Sequence, residues 1–260
     1  MILLLLALVW PGLSVNAAPQ ELSCSFAREY ITTLEYFRGH ADFKVPEKNA
    51  RELALQVSKG CTGAAQRFIK VTSRLTATGV PADASIQVGV RFATRSDWEA
   101  ETFLTVFLKA YAQDYLDLTL NDSLKLATAL TLEFQGDIEN VRKDFEKTVR
   151  FCVQESEMAL SRPTCAALAT RIAKGGEAFS GGVADAFIEM TRFLESEKGP
   201  HLNRSEAVAL AEKLLQGGKE SSKNLVLAYR YAVSTQGLGL PIQDALRFSQ
   251  DLVLQKQPQK

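Results

Sequence analysis

Two landmarks recur about every 40 residues along this chain, and that period limits the fold more than any other feature. Val45-Pro46, Val80-Pro81, Arg162-Pro163 and Leu240-Pro241 each precede an apolar, helix-forming stretch. Leu120-Asn121-Asp122-Ser123 recurs as Leu202-Asn203-Arg204-Ser205 in the same place. Taken as anchors, positions 46, 81, 121, 163, 203 and 241 are spaced by 35, 40, 42, 40 and 38 residues. Gly60, Ser96-Asp97, Gly136, Gly175 and Gly217 follow their anchors by 12 to 15 residues, and Phe68, Phe103, Phe145, Phe187 and Leu225 follow by 22 to 24. Self-similarity at a fixed period of this size is the signature of a repeat architecture.

Between the landmarks the apolar spacing is helical. Leu53, Ala54 and Val57 share a helical face, as do Leu168, Ala169 and Ile172, and Leu210, Ala211, Leu214 and Leu215. Strand-like alternation is confined to a weak run at 86–90. Pro is tolerated in a first helical turn, and Asn or Ser caps one. Glu206 lies three residues after Asn203, the spacing of a capping box. A glycine landmark ends a helix by turning left-handed. Each unit therefore reads as a short helix A, a glycine turn and a longer antiparallel helix B. One such hairpin cannot bury its apolar face, whereas five and a half stacked units can. The expected fold is all-α, stacked helix hairpins forming one domain over 18–254, the alternative being a non-repetitive all-α bundle. Over 46–254 the period resembles the HEAT and armadillo class of α-solenoids. That resemblance is architectural, and it implies an extended surface for partners.

The N-terminus reads as an export signal. Residues 2–10 carry no polar side chain, Pro11-Gly12 breaks the run, and Val15-Asn16-Ala17 offers small residues for cleavage near Ala17 or Ala18. The run is too short to span a bilayer, and no later segment reaches that length without charges. The mature chain is thus expected to be soluble and exported, in a periplasm or outside the cell, with the bacterial periplasm favoured. Four cysteines in an oxidising compartment suggest two disulfides. A helix over 22–38, with Phe26, Tyr30, Leu34 and Phe37 near one face, packs antiparallel on the first helix A and brings Cys24 beside Cys61. Cys152 pairs with Cys165 if its helix ends near Val153 or Gln154. The tail, 255–260, is polar and reads as disordered.

Chemistry is harder to find. Thirty basic and thirty acidic residues balance, so no excess of cations exists to neutralise a nucleic-acid backbone. His40 and His201 fall in loops with no Gly-x-Ser-x-Gly elbow nearby, and no metal-binding or cofactor motif occurs. Gly175-Gly176 and Gly181-Gly182 lack the Lys-Ser/Thr that follows the glycines of a phosphate loop, and Gly217-Gly218-Lys219 lacks its leading Gly at the right spacing. Glu155-Ser156 and Glu220-Ser221 give the acidic dipeptide of the helical lytic transglycosylases without the segment that follows it there. The charges of 137–157 read as a solvated, salt-bridged face. Asn121-Asp122-Ser123 and Asn203-Arg204-Ser205 are glycosylation sequons, explained more simply as caps. The candidate contacts are aromatic. Trp98, Tyr111 and Tyr115 belong to the densest aromatic group, with Phe107, Tyr111 and Tyr115 spaced i,i+4. Tyr229 and Tyr231 are two residues apart and so point to different sides of a helix; one must leave the core, and Tyr229 is taken as that contact. The reading that follows is a binding or scaffold protein for a protein or peptide partner, without cofactor or metal. The alternatives are a peptidoglycan-active enzyme, marked by one carboxylate in a deep cleft, and an apolar-ligand carrier, marked by a closed Phe/Leu-lined cavity.

Overall fold

In the computed structural model, residues 24–40, 43–134, 137–154, 160–175 and 182–254 are described. The leader, the tail, Gly136 and Glu155-Ser156 lie outside them. Among the described residues twelve helices follow one another: α1 (Phe26–Gly39), α2 (Glu47–Ser58), α3 (Ala64–Ala77), α4 (Ala82–Ala93), α5 (Asp97–Tyr111), α6 (Leu120–Thr131), α7 (Ile138–Val153), α8 (Arg162–Lys174), α9 (Val183–Glu195), α10 (Arg204–Gln216), α11 (Lys219–Val233) and α12 (Ile242–Leu254). No strand occurs among the described residues, and none of their helices is long and apolar enough to cross a membrane.

The chain is a helical stack, and its hairpins are phased differently from the sequence-based units. The close pairs are α1/α2, α3/α4, α5/α6, α7/α8, α9/α10 and α11/α12, each a helix B with the helix A that follows it. Helices A and B on either side of a glycine landmark touch far less. The loops after α3, α5, α9 and α11 double back onto the helix just completed. Val80, Leu118, Leu202 and Leu240 donate their N–H to Leu75, Ala110, Leu194 and Ala232 carbonyls at 2.8–3.1 Å. The residue just before each of them is left-handed: Gly79, Asp117, His201 and Gly239, with φ of 97°, 48°, 54° and 61°. Lys44, before Val45, is left-handed too. His201 is thus a loop-forming residue. His40 caps α1, its Nδ1 2.9 Å from the Tyr36 carbonyl.

The same loops correct the repeat register. Pro46 and Pro81 directly precede α2 and α4, and the equivalent caps are Thr119 and Ser161, whose side chains accept from Asp122 N–H and Thr164 N–H. Asn121 lies inside α6, and Pro163 is the second residue of α8. Asn203 caps α10 as expected, accepting from Glu206 N–H. The reciprocal capping box forms elsewhere, between Ser96 and Glu99 at α5. Gly175 and Gly217 end their helices with φ of −69° and −83°, so neither turns left-handed. At the turns from helix A to helix B, the glycines with positive φ are Gly63, Gly182 and Gly218, each opening a helix B. Gly60 is needed for its size: a Cβ there would lie 2.1 Å from the Ala93 carbonyl oxygen of α4.

The third landmark is the spine of the core. Phe68, Phe103, Phe145, Phe187 and Leu225 are all fully buried. On α1, Thr33, Leu34, Tyr36 and Phe37 are buried, Tyr30 is half-buried and Phe26 is exposed. Both expected disulfides are at bonding distance. Cys24 and Cys61 tie the loop before α3 to the start of α1, with Cα atoms 4.9 Å apart. Cys152 and Cys165 join α7 to α8, with Cα atoms 5.7 Å apart, and α7 ends at Val153 as that pairing requires.

Candidate functional site

Successive helices B carry a ladder of contacts from repeat to repeat. Lys70 of α3 pairs with Glu101 of α5, Lys109 of α5 with Glu146 of α7, and Lys147 of α7 with Asp185 of α9. The charged face expected on 137–157 is thus salt-bridged mainly to neighbouring repeats, with one i,i+4 pair, Lys143–Glu139, on α7 itself. Individually such exposed pairs contribute little, but their repetition fixes the stagger of one helix B on the next.

Two buried acids reinforce the same joints. Glu29 of α1 accepts from the Gly63 and Ala65 N–H groups, and Asp144 of α7 accepts from the Ala184 N–H at 3.1 Å. Each caps a glycine-opened helix B that has no side-chain cap of its own. Burial pushes the Asp144 carboxyl above its ordinary range, with the Ala184 hydrogen bond pulling the other way. A raised native pKa means that the folded state holds the proton more tightly. The stability this supplies is complete below the ordinary carboxylate value and is lost as pH rises through the raised one. Asp144→Asn keeps an acceptor and should remove that pH dependence, gaining stability over the native chain at neutral pH. Asp144→Ala orphans a buried N–H and should cost about 1–3 kcal/mol at pH 4. Urea melts of the three proteins at pH 4 and pH 7 check both.

The structure does not gather the predicted aromatics into one strip. Trp98 begins α5, 40% exposed, with the Arg142 guanidinium of α7 4.4 Å above its ring. Tyr111 ends α5, about 20 Å further along the axis, and stacks on the fully buried Phe107. Tyr115 lies past the helix end, half-buried beside Lys109, so the i,i+4 row breaks where α5 stops. Tyr229 is buried, 2% exposed, and meets Phe193 edge-on at 5.7 Å. Its neighbour Tyr231 is the exposed member, at 57%. Burial follows helix phase: Tyr229 lies one turn beyond the spine residue Leu225, whereas Tyr231 is turned away from it.

Tyr231 leads to a surface that the sequence reading missed. Six positions after the spine residue, successive helices B carry Phe151, Phe193 and Tyr231. Phe151 of α7 meets Phe187 of α9 edge-on, and Phe193 of α9 meets Tyr229 of α11 in the same way. Tyr231 continues this inter-repeat row, yet faces solvent. Two positions after the spine residue, the helices carry Lys70, Thr105, Lys147 and Glu189 and then, on α11, Leu227, which is 65% exposed. An apolar residue thus stands where the other repeats place polar ones. Leu227 and Tyr231 line a groove of about 530 Å³ with Asn224, Ala228, Leu252 and Val253, between α11 and α12. Leu252 and Phe248 form an exposed i,i+4 pair on α12, and Leu238 bonds back to the Tyr231 carbonyl. More than half of the large exposed hydrophobics among the described residues belong to the α11–α12 hairpin. Glu220-Ser221 lies at its edge, with Glu220 exposed and the Ser221 hydroxyl donating to the Gly217 carbonyl. Comparison with protein families, curated proteins and solved structures finds no match to this chain.

Proposed function

We propose that this chain is an exported helical-repeat binding or scaffold module that engages a protein partner through its α11–α12 face. One observation carries the reading: the inter-repeat contact row of the helices B reaches α11 with Leu227 and Tyr231 and is apolar and uncovered there. Contiguous apolar surface of this kind marks interaction sites on soluble proteins. Solenoids bind through extended faces, and Tyr is enriched among the residues that dominate interfaces. Export is supported by the apolar stretch at 2–10 with its small-residue cleavage site, and by two disulfides, which persist in oxidising compartments. The two buried acids, Glu29 and Asp144, are engaged as helix caps, which favours a binding role over acid–base chemistry. A photo-activatable phenylalanine analogue at position 231, in the protein expressed from its full sequence, should give discrete cross-linked adducts. The same probe at Arg74, the row position on α3, should give none.

A further inference from the structure

Resting on that reading, we infer that the occupant of the α11–α12 face is a second copy of the same chain, held about a two-fold axis. Area supports a second copy. The exposed parts of Leu227, Tyr231, Leu238, Phe248 and Leu252 equal about two and a half fully exposed large side chains, on the order of 500 Å². A standard interface buries about 800 Å² per partner, of which about 65% is apolar in homodimers, so the patch matches one such half-interface.

Charge is the second support. A two-fold interface sets a surface against itself, so a face of one sign would repel its own copy. The α11–α12 hairpin exposes Glu220, which lines the groove and pairs with Lys223, together with Arg230, Asp244, Arg247 and Asp251. Three acids and three bases leave this hairpin without a dominant sign of charge. The apolar patch is continuous with α12: Leu252 lines the groove with Leu227 and Tyr231, and Phe248 lies one turn before it on the same helix.

Sedimentation velocity of the oxidised protein between 1 and 100 µM tests the inference. A closed dimer is expected, with Tyr231→Phe dimerising like the native chain. Leu227→Glu and Tyr231→Glu should each weaken association at least about 30-fold, the loss expected at an interface hot spot, with unchanged far-UV circular dichroism. Because both residues are exposed, their replacement leaves the core intact. A native chain that stays monomeric at 100 µM overturns the inference, as does an open-ended polymer or a dimer indifferent to both Glu variants. The cross-linking from position 231 separates the two ideas: a monomer that still cross-links there to other proteins leaves the binding reading standing. A monomer that gives no adduct removes both.

Discussion

Replacing Phe145 with Ala should destabilise the protein by about 3–5 kcal/mol, the cost of removing a fully buried aromatic side chain from a close-packed core. Phe145 is completely enclosed in α7, the middle helix of the spine formed by Phe68, Phe103, Phe145, Phe187 and Leu225. Its helix contacts α5 on one side, α9 on the other, and α8 within its own hairpin. In a repeat array, stability sums over units and their nearest-neighbour interfaces. A defect here weakens two such interfaces at once, so urea unfolding followed by circular dichroism should shift to lower denaturant and broaden. A loss below about 1 kcal/mol would mean that Phe145 is not a core residue.

Loss of the Cys24–Cys61 bond should have a comparable but local effect. The bond closes a span of 37 residues, and on the chain-entropy model a loop of that size contributes about 4 kcal/mol. What it holds is α1, whose Tyr36 and Phe37 pack against Phe68 and whose Glu29 caps α3. The Cys24→Ser/Cys61→Ser double variant should therefore lose amide protection in α1 and the start of α3 by hydrogen exchange. Helices α8–α12, held by other contacts, should keep theirs. Uniform loss along the whole chain would show that the bond supports global folding and not one terminal hairpin. Cys152–Cys165 spans only 13 residues within a hairpin already packed along its length, so its removal should cost less, about 3 kcal/mol.

Much of this fold is legible in the sequence because its period is long and its spine is apolar. Phe68, Phe103, Phe145, Phe187 and Leu225 stand at matching positions, and all are buried. The disulfides are legible because helix length and antiparallel packing place Cys24 against Cys61 and Cys152 against Cys165. The phase of the hairpins is not. Pro163 and Asn121 look like caps, but helix N-termini tolerate Pro and Asn one or two residues inside as well. The apolar-residue-plus-cap pairs Leu118-Thr119 and Leu160-Ser161 carry the register instead. The left-handed residues at Asp117 and His201 are invisible to composition because neither is Gly. Cross-repeat caps such as Asp144 to Ala184 join residues 40 apart and leave no local trace. For the proposed binding face, one signal was available. Aligned on the spine, Lys70, Thr105, Lys147 and Glu189 give way to Leu227, and this break in polarity points to the exposed groove. Choosing by aromatic density led to Trp98 and Tyr111 at opposite ends of α5, and to Tyr229 inside the core.

The cross-linking from position 231 tests the central claim most directly, because it reports contact at one named side chain in the oxidised protein. Discrete adducts at position 231, and none from the equivalent Arg74 position, are the outcome this account predicts, with a product of twice the chain mass if a second copy is the occupant. Absence of adducts from 231, or the same adducts from 74, would contradict it: the apolar row on α11 would then not be the surface through which this protein meets a partner.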